Sequence, residues 1–173
     1  MRTGFWDTIM TSAALTGGCQ CGRVRYALSV VPGDVSVCHC RMCQKAVGGP
    51  FIVLALVHPD QLSWTRGKPA QFRSSTIATR LYCADCGTPL AYVNDDSGDV
   101  ELTTGSLDEP ERAVPTRATG NESRLPWLGA LPSLPAQTTQ EIHAARKQRP
   151  IVSFQHPDHD TPANRSPPRG EPG

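Results

Sequence analysis

The seven cysteines of this chain are the residues whose type and spacing most directly indicate chemistry. They form three tight clusters: Cys19 with Cys21, Cys38 with Cys40 and Cys43, and Cys83 with Cys86. Thiolate sulfur is a common ligand of zinc, and seven thiolates divide naturally into a set of four and a set of three. Four thiolates close the tetrahedral coordination of a structural zinc, whereas three leave one position free for chemistry. The spacing therefore predicts two zinc ions per chain, one structural and one catalytic.

The first predicted site combines the pair Cys19 and Cys21 with the pair Cys83 and Cys86. In an extended strand residues i and i+2 point to the same side, so Cys19 and Cys21 can present both sulfurs to one ion. The second pair is followed by Gly87, whose permissive backbone suits the tight turn of such a half-site. The alternatives are unrelated buried cysteines or a disulfide, although a Cys-x-Cys disulfide would be strained.

The second predicted site is the loop that carries Cys38, Cys40 and Cys43. Its three thiols can converge on one ion, whose fourth position is left to water, substrate or another ligand. Such a zinc can polarise a carbonyl or stabilise a bound thiolate. A division with Cys19, Cys21, Cys38 and Cys40 around one ion stays open. We favour the interleaved division, in which the two outer pairs share one ion and the middle cluster holds the other, because three thiols on one short loop are difficult to share between two ions.

Three polar residues accompany this loop. His39 lies between two of the cysteines and would point away from their shared metal in an extended segment, so we interpret it as a supporting or surface residue. Arg41 and Lys45 can offset thiolate charge or meet an anionic substrate, and ordinary solvated charge is the alternative.

The elements that must position these clusters are short and mostly strands. Alternating or continuous apolar residues predict strands at 23–30, 35–37, 51–57, 71–73, 79–82, 90–93 and 100–104. One or two helical turns are expected over 41–47, stopped by Gly48, and a short helix over 137–147. Residues 64–67 are expected to be a looser stretch. The predicted class is mainly β.

Composition separates a core domain from its termini. We expect a flexible N-terminus at residues 1–14, a zinc-binding domain at 15–135 and a disordered tail at 136–173. Residues 150–173 hold six prolines and few large apolar side chains, so burial cannot offset their ordering entropy. The tail should therefore contribute little to stability, with its histidines exposed to solvent: His143, His156 and His159.

The charge balance excludes strong electrostatic attraction to polyanions. With 17 basic and 16 acidic residues the net charge is +1, so neither nucleic acid nor a membrane is expected as a partner. The sequence also lacks an apolar run of membrane-spanning length and a secretory signal. We therefore expect a cytoplasmic protein, in a compartment where thiols stay reduced.

Four stretches resemble the glutathione-dependent formaldehyde-activating enzyme family: Gly17-Gly-Cys-Gln-Cys-Gly22, Cys38-His-Cys-Arg-Met-Cys43-Gln-Lys, Tyr82-Cys-Ala-Asp-Cys-Gly-Thr-Pro-Leu90 and Thr104-Gly-Ser-Leu-Asp108. The resemblance covers about residues 15–130 and every cysteine. It implies an Mss4-like (β-tent) single domain with two zinc sites. It further implies the interleaved division, structural for the two outer pairs and catalytic for the middle cluster.

The resemblance also implies an activity. The family condenses glutathione with formaldehyde to S-hydroxymethylglutathione, a carbon–sulfur lyase reaction, so the expected partners are a small thiol and a small aldehyde. Relatives often carry a His after Pro-x-x, where this chain has Pro115 followed at that position by Ala118. A non-catalytic zinc module that binds a thiol ligand or a partner protein is the alternative, and a redox-sensing role for the 38–43 loop is a third.

Overall fold

Ten short strands and two α-helices form most of the fold in the computed structural model, which describes residues 13–146 and 151–162. The strands are β1 (Leu15–Gly18), β2 (Arg25–Leu28), β3 (Val35–Cys38), β4 (Ile52–Val57), β5 (Leu62–Arg66), β6 (Ala70–Ser75), β7 (Ala78–Tyr82), β8 (Pro89–Asn94), β9 (Val100–Thr103) and β10 (Arg117–Thr119). The helices are α1 (Arg41–Val47) and α2 (Thr139–Arg146). Short 3₁₀ turns connect several of these elements. The predicted mainly β class is confirmed.

The strands form two sheets. The smaller sheet is antiparallel with strand order β1-β2-β5. The larger sheet has the order β10-β3-β4-β9-β8-β7-β6 and is antiparallel except at its edge, where β10 runs parallel to β3. Two sheets packed through one core make a single domain.

The main core lies between the two sheets. Tyr26 of β2 is fully buried; its ring packs edge-on against Trp64 of β5 at 5.7 Å, and its hydroxyl meets the Ser106 hydroxyl at 2.7 Å. The larger sheet supplies apolar side chains from its central strands, including Ala55 and Leu102. Burial of this apolar face is what fixes the register of the alternating strands.

The other face of the larger sheet carries helix α1. Cys43 of the helix packs with Ile52 and Leu54 of β4 in a second, smaller apolar cluster. The helix ends at Gly48 with a φ of 63°, a left-handed conformation that glycine adopts without strain. The sequence predicted this helix and this stop.

Most predicted elements are present, but three stretches differ. Strand β1 was not among the predicted strands. Residues 64–67 were expected to be loose, but most of them belong to β5, whose alternate side chains are half-buried against the core. Strand β10 was not predicted because it is three residues long and pairs with a strand distant in sequence. In the described parts of the chain, no helix is long and apolar enough to cross a membrane.

Residues near the C-terminus contact the small sheet and the turn between β1 and β2. His156 donates its backbone N–H to the Gln20 carbonyl at 2.7 Å and is only 4% exposed, because its ring lies directly on Gly22. The expectation that His156 is exposed is therefore wrong, whereas His159 is exposed. The boundaries at 15 and 136 and the disorder of the tail stay predictions, and most of the predicted flexible N-terminus lies outside the described residues.

Candidate metal centres

Four sulfurs converge between the turn that follows β1 and the turn between β7 and β8. The sulfurs of Cys19, Cys21, Cys83 and Cys86 all lie within 4.8 Å of one another. The Cys19–Cys21 and Cys21–Cys83 sulfur distances are 3.5 and 3.8 Å, and all four cysteines are free thiols. Tetrahedral zinc with Zn–S bonds of about 2.3 Å needs sulfurs about 3.8 Å apart. The donor set and its spacing therefore fit zinc.

Tight turns, rather than a strand, present these sulfurs. Strand β1 ends at Gly18, and the next residues form a turn in which Gly22 donates to the Cys19 carbonyl at 2.9 Å. The Val24 N–H then donates to the Cys19 sulfur at 3.3 Å. The strand geometry expected for Cys19 and Cys21 is thus wrong, although both sulfurs do face one centre. At the other turn Gly87 adopts a φ of 75°, as its position suggested.

Thr88 contacts both turns and lowers the pKa of one of the four thiols. Its hydroxyl accepts the Gln20 backbone N–H at 3.0 Å and lies 3.2 Å from the Cys86 sulfur. Burial opposes ionisation of Cys86, but hydrogen bonds from the hydroxyl and backbone of Thr88 lower its pKa to about 6. Burial raises the pKa of Cys83 to about 11 and that of Cys21 further still. A bound divalent cation would offset the cost of ionising all four thiols.

The other three sulfurs meet where β3 passes into helix α1. Cys38 ends the strand, Cys40 caps the helix and Cys43 lies in its first turn, and their sulfurs lie within 4.8 Å of one another. The Cys43 N–H donates to the Cys40 sulfur at 3.4 Å. Among residues 13–146 and 151–162, no fourth Cys, His, Asp or Glu joins this group. Three thiols without a fourth protein ligand fit a zinc with one open position.

Strand β10 closes one side of the three-cysteine site. Thr119 pairs with Cys38 in the parallel ladder. Burial would raise the pKa of Cys38, but the Cys40 backbone and the Thr119 hydroxyl outweigh it and lower this pKa. Gly120 follows with a φ of 62°, and a Cβ there would come within 2.5 Å of the Cys40 nitrogen. Only glycine fits this approach.

Arg80 of β7 reaches the same site from the larger sheet. Its Nη2 donates to the Cys43 sulfur at 3.5 Å, and its Nε donates to the Ser74 hydroxyl at 3.3 Å. The guanidinium also lies over the Tyr92 ring, 5.4 Å from its centroid. Burial raises the pKa of Cys43 to about 12, and Arg80 opposes that rise. The arginine is therefore a fixed cation beside the Cys43 sulfur.

His39 and Gln44 hold the loop rather than join the sulfurs. His39 is 5% exposed and packs edge-on against Phe51, so it is a buried residue outside the three-sulfur group. Its Nδ1 has no hydrogen-bond partner in the described parts of the chain. Gln44 is also buried and donates to the carbonyls of His39 at 2.7 Å and Ser123 at 3.0 Å. These bonds fix α1 against the loop after β10.

An open groove adjoins the three-cysteine site on the face of the larger sheet. It has a volume of about 700 Å³. We call it the sheet groove and define it by six of its lining residues: Met42, Lys45, Ile52, Phe72, Arg80 and Tyr82. Arg41 also lines it, so both cations predicted near the cysteines face this space.

Sequence reasoning did not find four residues that shape the two centres. Thr88 could have been suspected, since its hydroxyl follows Cys86 by two residues. Arg80, Thr119 and Gly120 carried no local signal, because their contacts depend on strand pairing across the larger sheet.

A family model described as glutathione-dependent formaldehyde-activating enzyme matches residues 14–121 of this chain. The matched segment contains both groups of cysteines and both sheets. It ends one residue after Gly120, so it includes strand β10 as well.

Two individual proteins are similar to this chain. One is an uncharacterized lyase of Schizosaccharomyces pombe, 29% identical over 80 residues that make up 45% of this chain and 58% of that protein. This chain thus matches less than two thirds of that relative's length. The other is a Rhodobacter sphaeroides protein of known crystal structure, with a TM-score of 0.50 and 20% identity over 60% of this chain and 99% of that one. At that identity the similarity shows a shared fold alone.

Proposed function

The chain belongs to the glutathione-dependent formaldehyde-activating enzyme family, and we propose that it is a zinc-dependent carbon–sulfur lyase acting on the adduct of a thiol and an aldehyde. The proposed substrates are glutathione with formaldehyde or another small aldehyde. The observation that carries the proposal is the meeting of Cys38, Cys40 and Cys43 without a fourth protein ligand in the described residues. Those sulfurs adjoin a groove large enough for a substrate.

The proposed reaction needs no oxidant or reductant. In the forward direction the thiol sulfur forms a bond to the aldehyde carbon, and the π electrons of the carbonyl move to its oxygen. The proton lost by the thiol is gained by that oxygen, which becomes the hydroxyl of the adduct. The reverse reaction breaks the carbon–sulfur bond and returns the proton to sulfur.

The residues of the three-cysteine site have separate roles in this proposal. Cys38, Cys40 and Cys43 would hold zinc, which supplies a Lewis acid for the carbonyl oxygen and a cation for the attacking thiolate. Arg80 donates to the Cys43 sulfur and holds positive charge beside the reacting groups. Lys45 lines the route from solvent and would attract an anionic thiol such as glutathione.

No acidic or histidine side chain lines the sheet groove in the described part of the chain. We therefore propose that solvent carries the proton between sulfur and oxygen. The position where relatives often have a His is Ala118, in strand β10 opposite Val37. The proposed reaction does not require a side-chain base there, since the thiol is ionised before it attacks.

The four-cysteine site has a structural role in this proposal. Four thiolates would close the coordination of a second zinc and leave no position for a substrate. Seven free thiols also suit a reducing compartment, which supports the cytoplasm as the location of the protein.

Exchange spectroscopy tests the proposal directly. The zinc-loaded full chain should accelerate interconversion of glutathione, formaldehyde and S-hydroxymethylglutathione, measured by NMR as an exchange rate above the spontaneous one. Cys40→Ser should remove the acceleration while leaving the protein folded, because Cys40 belongs to the open site alone.

The controls separate catalysis from binding. Cys40→Ser is compared with Ser97→Ala, a substitution of an exposed residue in the β8–β9 turn that belongs to neither group of cysteines. If glutathione binds the wild-type protein without any acceleration of exchange, the lyase proposal is wrong and the non-catalytic thiol-binding module replaces it.

A further inference from the structure

The sheet groove is the part of the larger sheet that helix α1 leaves uncovered. The helix covers Ile52 and Leu54 on β4. Beyond it, cross-strand pairing brings Phe72 of β6 opposite Arg80 of β7, and Arg80 opposite Tyr92 of β8. Paired residues share one face of a sheet, and two of these three side chains, Phe72 and Arg80, line the groove beside α1.

Large apolar side chains are exposed in this groove. Phe72 is 61% exposed, Met42 is 57% exposed and Tyr82 is 36% exposed. Each of them lines the same cavity, together with Ile52 and Pro89. A cluster of exposed apolar side chains around a concavity is typical of a binding site for an apolar group.

The charges in the groove are of one sign. Arg41, Lys45 and Arg80 line it, and none of its lining residues is acidic. In the described residues none of the three cations forms an ion pair, whereas the nearby Arg73 pairs with Asp95. Cations without a carboxylate partner beside an apolar surface complement a ligand with an anionic group and an apolar body.

Two residues that line the groove also contact Cys43 of the three-cysteine site. Arg80 lines the groove and donates to the Cys43 sulfur, and Ile52 lines the groove and packs on Cys43. A ligand of the three-cysteine site that also occupied the groove would contact Phe72 and Met42.

The sheet groove is larger and more apolar than a site for formaldehyde needs to be. That aldehyde has a single carbon and needs little more room than the roughly 30 Å³ that a water molecule occupies in the liquid. The groove offers about 700 Å³. A polar tripeptide thiol would fill part of this volume, but its amide groups gain little from an apolar floor made by Phe72 and Met42.

We propose that the substrate is the adduct of an anionic thiol with an apolar alkyl or aryl aldehyde, and that the apolar part binds on Phe72 and Met42. This inference rests on the proposed lyase function and specifies its substrate class. The bond changes are those given above, with a longer carbon chain on the aldehyde carbon. Arg41 and Lys45 meet the anionic groups of the thiol.

A series of S-alkyl glutathiones tests this inference without turnover. The S-methyl, S-butyl and S-hexyl thioethers have no free thiol, so they cannot react. Isothermal titration calorimetry of the zinc-loaded full chain should give a dissociation constant that falls about twofold per methylene. Full burial of a methylene is worth about fourfold in affinity, and the open groove should bury about half of the chain.

Matched variants assign the effect to the groove. Phe72→Ser should abolish the dependence on chain length, whereas Val114→Ser should leave it unchanged, because Val114 is equally exposed at 66% but does not line the groove. Lys45→Gln should weaken binding of every member by a similar factor and keep the slope.

The two proposals fail separately. Equal affinity across the series, or a slope that Phe72→Ser leaves intact, overturns the apolar substrate class even if glutathione–formaldehyde exchange is accelerated. A chain-length slope that Phe72→Ser removes supports the groove as the binding site of an apolar thioether even if that exchange is not accelerated. The lyase proposal is then wrong, and this ligand is bound without being a substrate.

Discussion

Arg80 joins the three-cysteine site to the sheet groove through one side chain. Its guanidinium contacts the Cys43 sulfur, the Ser74 hydroxyl and the Tyr92 ring, so its orientation is fixed from three directions. A fixed cation favours the thiolate form of a neighbouring cysteine. Because zinc binds thiolates, Arg80 should contribute to metal affinity without being a ligand.

Replacement of Arg80 should therefore weaken the three-cysteine site selectively. Arg80→Gln is expected to lower zinc affinity there about tenfold, measured by chelator competition while the four-cysteine site stays loaded. Arg80→Lys keeps the charge but loses the planar fork, so it should recover part of the affinity.

Arg73→Gln is the matched control, since Arg73 lies on the adjacent strand, is 63% exposed and pairs with Asp95 instead. An Arg80→Gln protein that binds zinc within twofold of the wild type would show that this cation is not needed.

At the scale of elements, the two groups of cysteines connect the chain over different distances. The four-cysteine site joins the turn after β1 to the turn between β7 and β8, and Cys21 and Cys83 are 62 positions apart. The three-cysteine site joins only the end of β3 to the start of α1. Closing a long loop removes more conformational entropy from the unfolded chain than closing a short one.

The two sites should accordingly respond differently to loss of a ligand. Elemental analysis should find close to two zinc ions in the wild-type chain and one in a folded Cys40→Ser protein. Cys83→Ser should abolish soluble folding, because a closed zinc site that bridges distant turns couples metal binding to folding.

A chelator experiment on the wild-type protein keeps this prediction testable if Cys83→Ser cannot be purified. The first ion removed should leave the thermal midpoint nearly unchanged and the second should lower it steeply. Equal losses of stability in the two steps, or in the two variants, would contradict the assignment of one structural and one catalytic site.

Features of the structure that depend on residues close in sequence could be predicted, whereas features that depend on contacts between distant residues could not. The spacing of the cysteines favoured one division over another that stayed open, and the structure brings together the favoured two sets. The one or two helical turns expected over 41–47 are helix α1, which ends at Gly48 as predicted. Strand β10 and the approach of Gly120 to Cys40 depend instead on a parallel pairing with β3, and no pattern within β10 indicates that partner.

Composition does not reveal a few specific contacts near the C-terminus. The proline-rich segment near the C-terminus has little apolar surface, which is why disorder was predicted for it. Its described contacts are polar: Asp160 accepts from Arg25 at 2.9 Å, and Thr161 contacts Arg66. Average composition cannot show such contacts, because each depends on one donor and one acceptor.

At the scale of the whole molecule, Arg25 connects the small sheet to two other regions. Its side chain is 2% exposed and donates to Asp108 at 2.8 Å and to Asp160 at 2.9 Å. Thr16 of β1 also donates to Asp108. Burial would raise the pKa of Asp108, but Arg25 and Thr16 outweigh it and lower this pKa. The C-terminal segment thus completes a polar network around the buried Arg25 side chain that β1 and β2 begin.

Docking of that segment should be measurable through its two histidines. His156 is buried on Gly22 and its Nε2 lies 2.9 Å from the Thr161 hydroxyl, whereas His159 is exposed. His156→Ala should lower stability by about 2 kcal/mol, since it removes buried contacts and hydrogen bonds. For a chain of this size that is roughly 5 °C in the thermal midpoint. His159→Ala is the matched control and should unfold as the wild type does.

The same pair of variants should differ in their response to pH. Burial and the nearby Arg25 lower the pKa of His156 below its ordinary value of 6.5. Between 6.5 and that lower value the unfolded chain binds a proton that the folded chain does not, so folded stability falls as the pH is lowered through this window. The stability difference between wild type and His156→Ala should therefore shrink below pH 6.5, measured as thermal midpoints from pH 8 to 5. Midpoints that are equal for His156→Ala and His159→Ala at every pH would mean that residues 155–162 do not dock, and the tail would then be free as its composition predicts.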